Sequence, residues 1–180
     1  MTAFEDLLDA LDDAGLWSHL PEDHKRAAQR ALASGDGVTW PAGGAWRADG
    51  EDLAEGDVEA WLGSMAGPLH DCGVDLRVAT VIGPWDAGSA GYSVCVNGTT
   101  LDLYTFVEGE PARPATEDPW MDCSVRPAAE VNRLLEAAGS SRRVALFWPG
   151  GNDGFAVLGE GRVLRRISAA AASWCNALIP

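Results

Sequence analysis

The most constraining stretch of this chain is residues 91–106, GYSVCVNGTTLDLYTF, in which apolar and polar side chains alternate on either side of an Asn97-Gly98 pair. Asn-Gly supplies the two positive φ angles of a type I′ turn, whose twist matches that of paired strands, so the pattern predicts a β-hairpin. A two-residue turn also fixes the register, placing Val96 opposite Thr99, Cys95 opposite Thr100, Val94 opposite Leu101, Ser93 opposite Asp102 and Tyr92 opposite Leu103. One face then carries Tyr92, Val94, Val96, Leu101 and Leu103, and the other Ser93, Cys95, Thr100, Asp102 and Tyr104. The first face is expected to pack beneath helices. The second either lies open as a binding surface or is covered into a pocket around Asp102.

The rest of the chain supplies elements that could cover the hairpin. Thr2 and Glu5 form a capping-box pattern, and Phe4, Leu7, Leu8 and Leu11 fall on one helical face that ends at Gly15. Pro21 opens a second helix, with Glu22 and Asp23 near its positive end and Ser34-Gly35 at its close. Residues 35–50 are glycine-rich, with Trp40 and Trp46 flanking Pro41 to Gly44, and read as an ordered loop or a short edge hairpin. A third helix is expected over 51–65, since Val58, Trp61, Leu62 and Met65 share a face, and Pro68 should kink or end it. After Gly73 the apolar period changes to two, through Val74, Leu76, Val78, Thr80 and Ile82, which predicts a strand ahead of the hairpin.

Residues 108–119 hold three prolines and four acids, a composition that suits an exposed connection. Pro127 is expected to begin a fourth helix, with Val131, Leu134, Leu135 and Ala138 on one face and Gly139 as its stop. Strands are expected at 144–148, 154–158 and 163–167, followed by a closing helix capped by Ser168, with Ile167 and Trp174 turned inward. This order predicts a single α+β domain over residues 1–180, with an acidic helical and loop region at 1–50 and a sheet-containing core at 51–180. Its antiparallel sheet should have five to six strands, with the helices mainly on one face. From the third helix onward the element order is similar to that of the secretion-chaperone fold, whose acidic subunits wrap a partner segment. That resemblance implies a chaperone-like role for an exported partner.

Charge narrows the function. The 180 residues carry 27 acids against 13 Lys and Arg, a net −14. Residues 1–60 hold 14 of those acids and 4 of the bases, a balance of −10, whereas the remaining 120 residues come to −4. Such a field repels phosphate backbones and anionic lipid, which argues against nucleic-acid and membrane binding, and it attracts a basic protein. The first ten residues are acidic where a signal peptide needs positive charge, and no apolar run approaches the length of a membrane span, so a cytoplasmic location is expected. Cys72, Cys95, Cys123 and Cys175 form no paired spacing and read as free thiols.

Few residues suggest chemistry. Ser89, in Ala87-Gly-Ser-Ala-Gly91, has small neighbours like a nucleophile elbow, but it lies between two antiparallel strands where the elbow needs a following helix. His70-Asp71-Cys72 and Asp122-Cys123 are zinc-ligand types without zinc spacing, and the glycines of 150–154 lack the Lys and Ser/Thr of a phosphate loop. No catalytic, cofactor or metal site is therefore assigned. The expected function is an acidic, immunity-protein-like protein that neutralises or covers a basic protein partner such as a toxin domain. A secretion chaperone or a small hydrolase using Ser89 or Asp102 are the alternatives, and a second copy of the chain is a further possible partner. The candidate partner-binding residues are Asp9, Asp12 and Asp13, the aromatics Trp85, Tyr104, Trp120 and Trp148, and Asp102, because tryptophan and tyrosine concentrate at interface hot spots.

Overall fold

The structure, a computed structural model, describes residues 9, 11–18, 20–33, 37–40, 42–84, 91–107, 110–114, 117–150, 153–172 and 175–180. The Thr2–Glu5 capping box, Ser34-Gly35, Trp85, Ser89 and Trp174 lie outside the described residues. In chain order the elements begin with a helix α1, described at residues 9 and 11–13, then α2 (Glu22–Ala33), β1 (Val38–Trp40) and β2 (Gly43–Arg47). A helical run follows, made of α3 (Gly50–Asp52), a segment Leu53–Asp57 that kinks at Gly56 (φ 127°), α4 (Val58–Ser64) and α5 (Ala66–Asp71). The hairpin region is β3 (Val78–Ile82), β4 (Gly91–Val96), β5 (Thr99–Val107) and β6 (Glu110–Pro114). After α6 (Pro119–Ala137) come β7 (Arg142–Gly150), β8 (Asp153–Glu160), α7 (Gly161–Ala171) and β9 (Asn176–Leu178).

The fold is α+β, and every strand pairing is antiparallel. The strands form two sheets, sheet I in the order β1-β2-β8-β7-β9 and sheet II in the order β3-β4-β5-β6. Sheet I is covered on both faces, and its strands show why. Val144↔Leu158 and Leu146↔Ala156 turn their side chains to one core, while the intervening pairs Ala145↔Val157 and Phe147↔Phe155 turn to the other. A strand buried on both faces must be continuously apolar, as VALF and FAVL are. The second core is completed by Leu11, Leu16, Trp17 and Ala28 from α1, its following turn and α2, and by Leu164 and Ile167 from α7. The first core is completed by α3 to α6, whose other side packs on Tyr92, Val94, Val96 and Leu103 of sheet II.

The hairpin turn has the expected geometry, with Asn97 at φ 47° and Gly98 at φ 89°. Its first four pairs keep the expected register, from Val96↔Thr99 to Ser93↔Asp102. There a bulge intervenes, so that Tyr92 pairs with Tyr104 and not with Leu103. An extra residue on one strand returns the next side chain to the same side. Tyr104 therefore leaves the open face, is 5% exposed, and packs edge-on against Tyr92 and Phe106.

Other expectations shift for equally local reasons. Residues 38–47 are the edge hairpin β1–β2, so the sheet-forming part of the chain begins before residue 51. The strand before the hairpin shrinks to 78–82, because the Asn97 side chain holds the preceding residues instead: its Oδ1 accepts from the Arg77 N–H at 2.6 Å and its Nδ2 donates to the Asp75 carbonyl at 3.0 Å. Pro68 sits in the first turn of α5, where no N–H is needed, and the helical run breaks at Met65. The connection 108–119 contains the edge strand β6, where prolines are tolerated. Helix α6 starts at Pro119, not Pro127, because the Asp118 side chain accepts from the Met121 N–H at 2.9 Å and Pro119 fills the first turn.

The stretch 163–167 is helical and not a strand. Leu164 and Ile167 are buried at helical spacing, with Arg162, Arg165 and Arg166 exposed around them. The helix ends at Ala171, and residues 176–178 form β9 beside β7 in place of the expected helix through Leu178.

One buried polar side chain ties α6 to β7, and a second is paired within the helix. Asn132, 5% exposed, acts as a strand surrogate beside β7: its Nδ2 donates to the Val144 carbonyl at 2.9 Å and its Oδ1 accepts from the Val144 N–H at 2.7 Å. The same Nδ2 donates to the Pro180 carbonyl at 2.8 Å. Glu130, 7% exposed, receives both Arg133 Nε and Nη2 at 2.8 and 2.7 Å. Each buried group left unpaired costs roughly 1–3 kcal/mol, so Asn132→Ala should lower unfolding free energy by at least about 2 kcal/mol in urea titration. A loss under about 0.5 kcal/mol, the scale of surface substitutions, would show that water replaces the amide.

Arg133 is the main reason the Glu130 carboxyl titrates below the usual 4.5, with the Thr99 hydroxyl assisting against burial. A lowered folded value adds stability that is present above the unfolded pKa and is lost as pH falls through the folded one. In acid titrations followed by circular dichroism, Glu130→Gln should therefore flatten the loss of stability below about pH 4.5. An unchanged slope would contradict the ion pair.

Candidate protein-binding surface

The expected site residues that the structure describes do not converge on one surface. Asp9 and Asp13 are exposed, and Asp12 meets Lys25 Nζ of α2 at 2.6 Å. These three belong to the layer outside the second core, across sheet I from α6. Tyr104 is lost to the interior, where its hydroxyl donates to the Ala54 carbonyl at 3.0 Å and burial pushes its pKa up to about 12. Trp148 is partly buried against the first core, with its indole lying close over Gly154. Asp102 is exposed on the outer face of sheet II, and Arg126 Nη1 of α6 donates to its carbonyl at 2.7 Å while Nη2 meets Asp122 at 3.1 Å.

Trp120 remains, and it has a neighbour that the sequence reading did not single out. Trp120 is 46% exposed and Met121 38%, side by side in the first turn of α6. Capping by Asp118 fixes this turn, and α3 closes its flank. Gly50 makes that approach possible, since a Cβ there would lie 2.9 Å from Trp120 Cβ. Asp49 caps α3 by accepting from the Glu51 and Asp52 amides at 3.0 and 3.4 Å, and it receives Arg47 Nη2 at 2.6 Å. Glu51 and Asp52, which follow Gly50 in α3, and Glu117 and Asp118, which precede α6, are all exposed. The result is an exposed apolar pair with exposed acids beside it in the chain and on the adjoining α3.

Two of the surface concavities are lined by described residues. One, of about 450 Å³, lies beside the hairpin turn and is lined by Asp75, Arg77, Val78, Ala79, Cys95, Asn97 and Gly98; Asp102 does not line it. The other, of about 180 Å³, lies against α3 and α4 and is lined by Arg47, Asp49, Asp52, Leu53, Asp57, Ala60 and Trp61. Among the described residues no three His, Cys, Asp or Glu side chains gather at metal-binding distance, and no helix is long and apolar enough to cross a membrane.

The zinc-ligand types serve other contacts: His70 Nδ1 meets Asp75 at 2.6 Å, Asp71 accepts from the Ala42 amide at 3.3 Å, and Cys123 is fully buried. All four cysteines are free, and burial raises the thiol pKa of Cys72 and Cys175 and pushes that of Cys123 to about 12. The chain matches no protein-family model, no characterised protein and no solved structure.

A thiolate is the reactive form, so Cys123 should stay unlabelled by a thiol reagent in the native protein at pH 8 and react only on unfolding. Native labelling of Cys123 at the rate of an exposed thiol would contradict its placement in the core.

Proposed function

We propose that this chain is a non-enzymatic, acidic protein-binding protein that covers a basic partner in the cytoplasm, in the manner of an immunity protein. The observation that carries this reading is the exposed Trp120–Met121 pair beside the exposed acids of α3 and of residues 117–118. An exposed tryptophan and methionine supply desolvation energy at the centre of a contact, and adjoining acids supply attraction and discrimination against wrong partners. The net charge of −14 extends that attraction beyond the contact and speeds encounter with a cationic surface. The acids of α1 contribute to this long-range field, from the layer across sheet I.

The test is retention of a basic polypeptide from the host by the immobilised full chain at low and moderate salt. Central tryptophans in interfaces contribute roughly 2 kcal/mol or more, so Trp120→Ala should weaken retention about 30-fold. Glu51→Lys with Asp52→Lys should weaken it further and flatten its salt dependence. Reversal at Asp9, Asp12 and Asp13 should slow association while leaving the retained complex in place. Retention unchanged by Trp120→Ala, or retention lost only on reversal at α1, would move the contact elsewhere and contradict the reading.

A further inference from the structure

The 180 Å³ cleft beside α3 has a composition that the general acidity of the chain does not explain. Arg47 holds its guanidinium against Asp49 at 2.6 Å, so one wall already presents a carboxylate in a geometry that accepts this group. Asp52 and Asp57 line the same cleft, and among the described residues neither carboxylate is engaged by a basic side chain. Trp61 lines it too. It is 7% exposed, and its Nε1–H is buried with no acceptor among the described residues. Three carboxylates and one arginine leave the lining at −2.

A cation with a flat apolar face fits this lining better than a compact one. A guanidinium can accept two carboxylates through its fork of N–H donors and stack on an indole, whereas an ammonium offers a point charge without the plane. The peptide that carries it also brings carbonyl oxygens, the acceptor type that the Trp61 N–H lacks. We propose that this cleft is a socket for an arginine side chain of a basic protein segment, with Asp52 and Asp57 receiving the guanidinium. It rests on the protein-binding reading above and adds to it the residue that the surface recognises. Trp120 and the socket both adjoin α3, so one extended segment could occupy both.

The test is titration of the full chain with blocked hexa-arginine and hexa-lysine peptides at low salt, followed by nitrogen-15 NMR. Hexa-arginine should shift the Asp52 and Asp57 amides and the Trp61 indole N–H, the latter assigned with Trp61→Phe, and bind at least five-fold tighter than hexa-lysine. Asp52→Asn with Asp57→Asn should weaken hexa-arginine at least ten-fold, while Glu22→Gln on α2 should leave it unchanged. Equal affinity for the two peptides, or equal loss in the Glu22 variant, would reduce the effect to general attraction and overturn the socket. Shifts confined to Trp120 and Met121, or no binding of either peptide, would also overturn it. Those results leave the Trp120–Met121 contact standing or falling on the Trp120→Ala retention measurement.

Discussion

A helix buried between two sheets must satisfy both at once, and α6 is that helix. Cys123, Ala128, Val131 and Leu135 fill the first core, which sheet I closes on one side and sheet II on the other. Burial this wide leaves little room for polar groups on α6, and the helix's own buried polar side chains are bonded. The Asn132 amide completes the β7 backbone at Val144, and Glu130 is held by Arg133. The Ser124 hydroxyl donates back to the Met121 carbonyl at 3.0 Å. Leaving such groups unpaired would cost more than most apolar contacts return, and the Asn132 bonds to Val144 reach beyond the helix and set how α6 seats on β7. Its first turn, capped by Asp118, emerges from the sandwich with Trp120 and Met121 exposed.

The parts of the fold legible in the sequence are those set by neighbours in the chain. Asn97-Gly98 determined four cross-strand pairs, because a type I′ turn leaves no alternative register. The apolar runs of β7 and β8 and the stop at Gly139 were equally local signals. What escaped was set by competition between near-equal signals or by distant partners. Pro119 and Pro127 both suit a helix start, and only the Asp118 cap decides between them. Residues 163–167 hold enough β-branched character to resemble a strand, yet Leu164 and Ile167 fall on a helical stripe over sheet I. The bulge that buries Tyr104 has no signature in the hairpin sequence, since Leu103 and Tyr104 are both apolar enough for the core.

The candidate site was half legible. Trp120 was among the aromatics that hot-spot chemistry singled out, and it is exposed, in the first turn of a helix. The α1 acids stood out through charge alone, and charge does not say which layer an element joins. Gly50, whose missing side chain admits Trp120 against α3, carried no signal, because nothing local ties residue 50 to residue 120. The cleft around Trp61 was hidden for the same reason, since it joins Arg47 of β2 to α3 and α4. The resulting picture separates two electrostatic roles. In the proposed reading, acids on α1 shape the far field, whereas those on α3 and just before α6 lie beside Trp120 and Met121.

That separation makes amide hydrogen exchange the most direct test, comparing the full chain alone and in complex with the basic polypeptide it retains. Protection of solvent-facing amides on binding marks the contact itself. The account predicts new protection over residues 49–57 and 117–122, with the exchange of 9–18 and of the 97–102 turn unchanged. Protection centred on α1 or on the outer face of sheet II, with 117–122 exchanging as before, would contradict it.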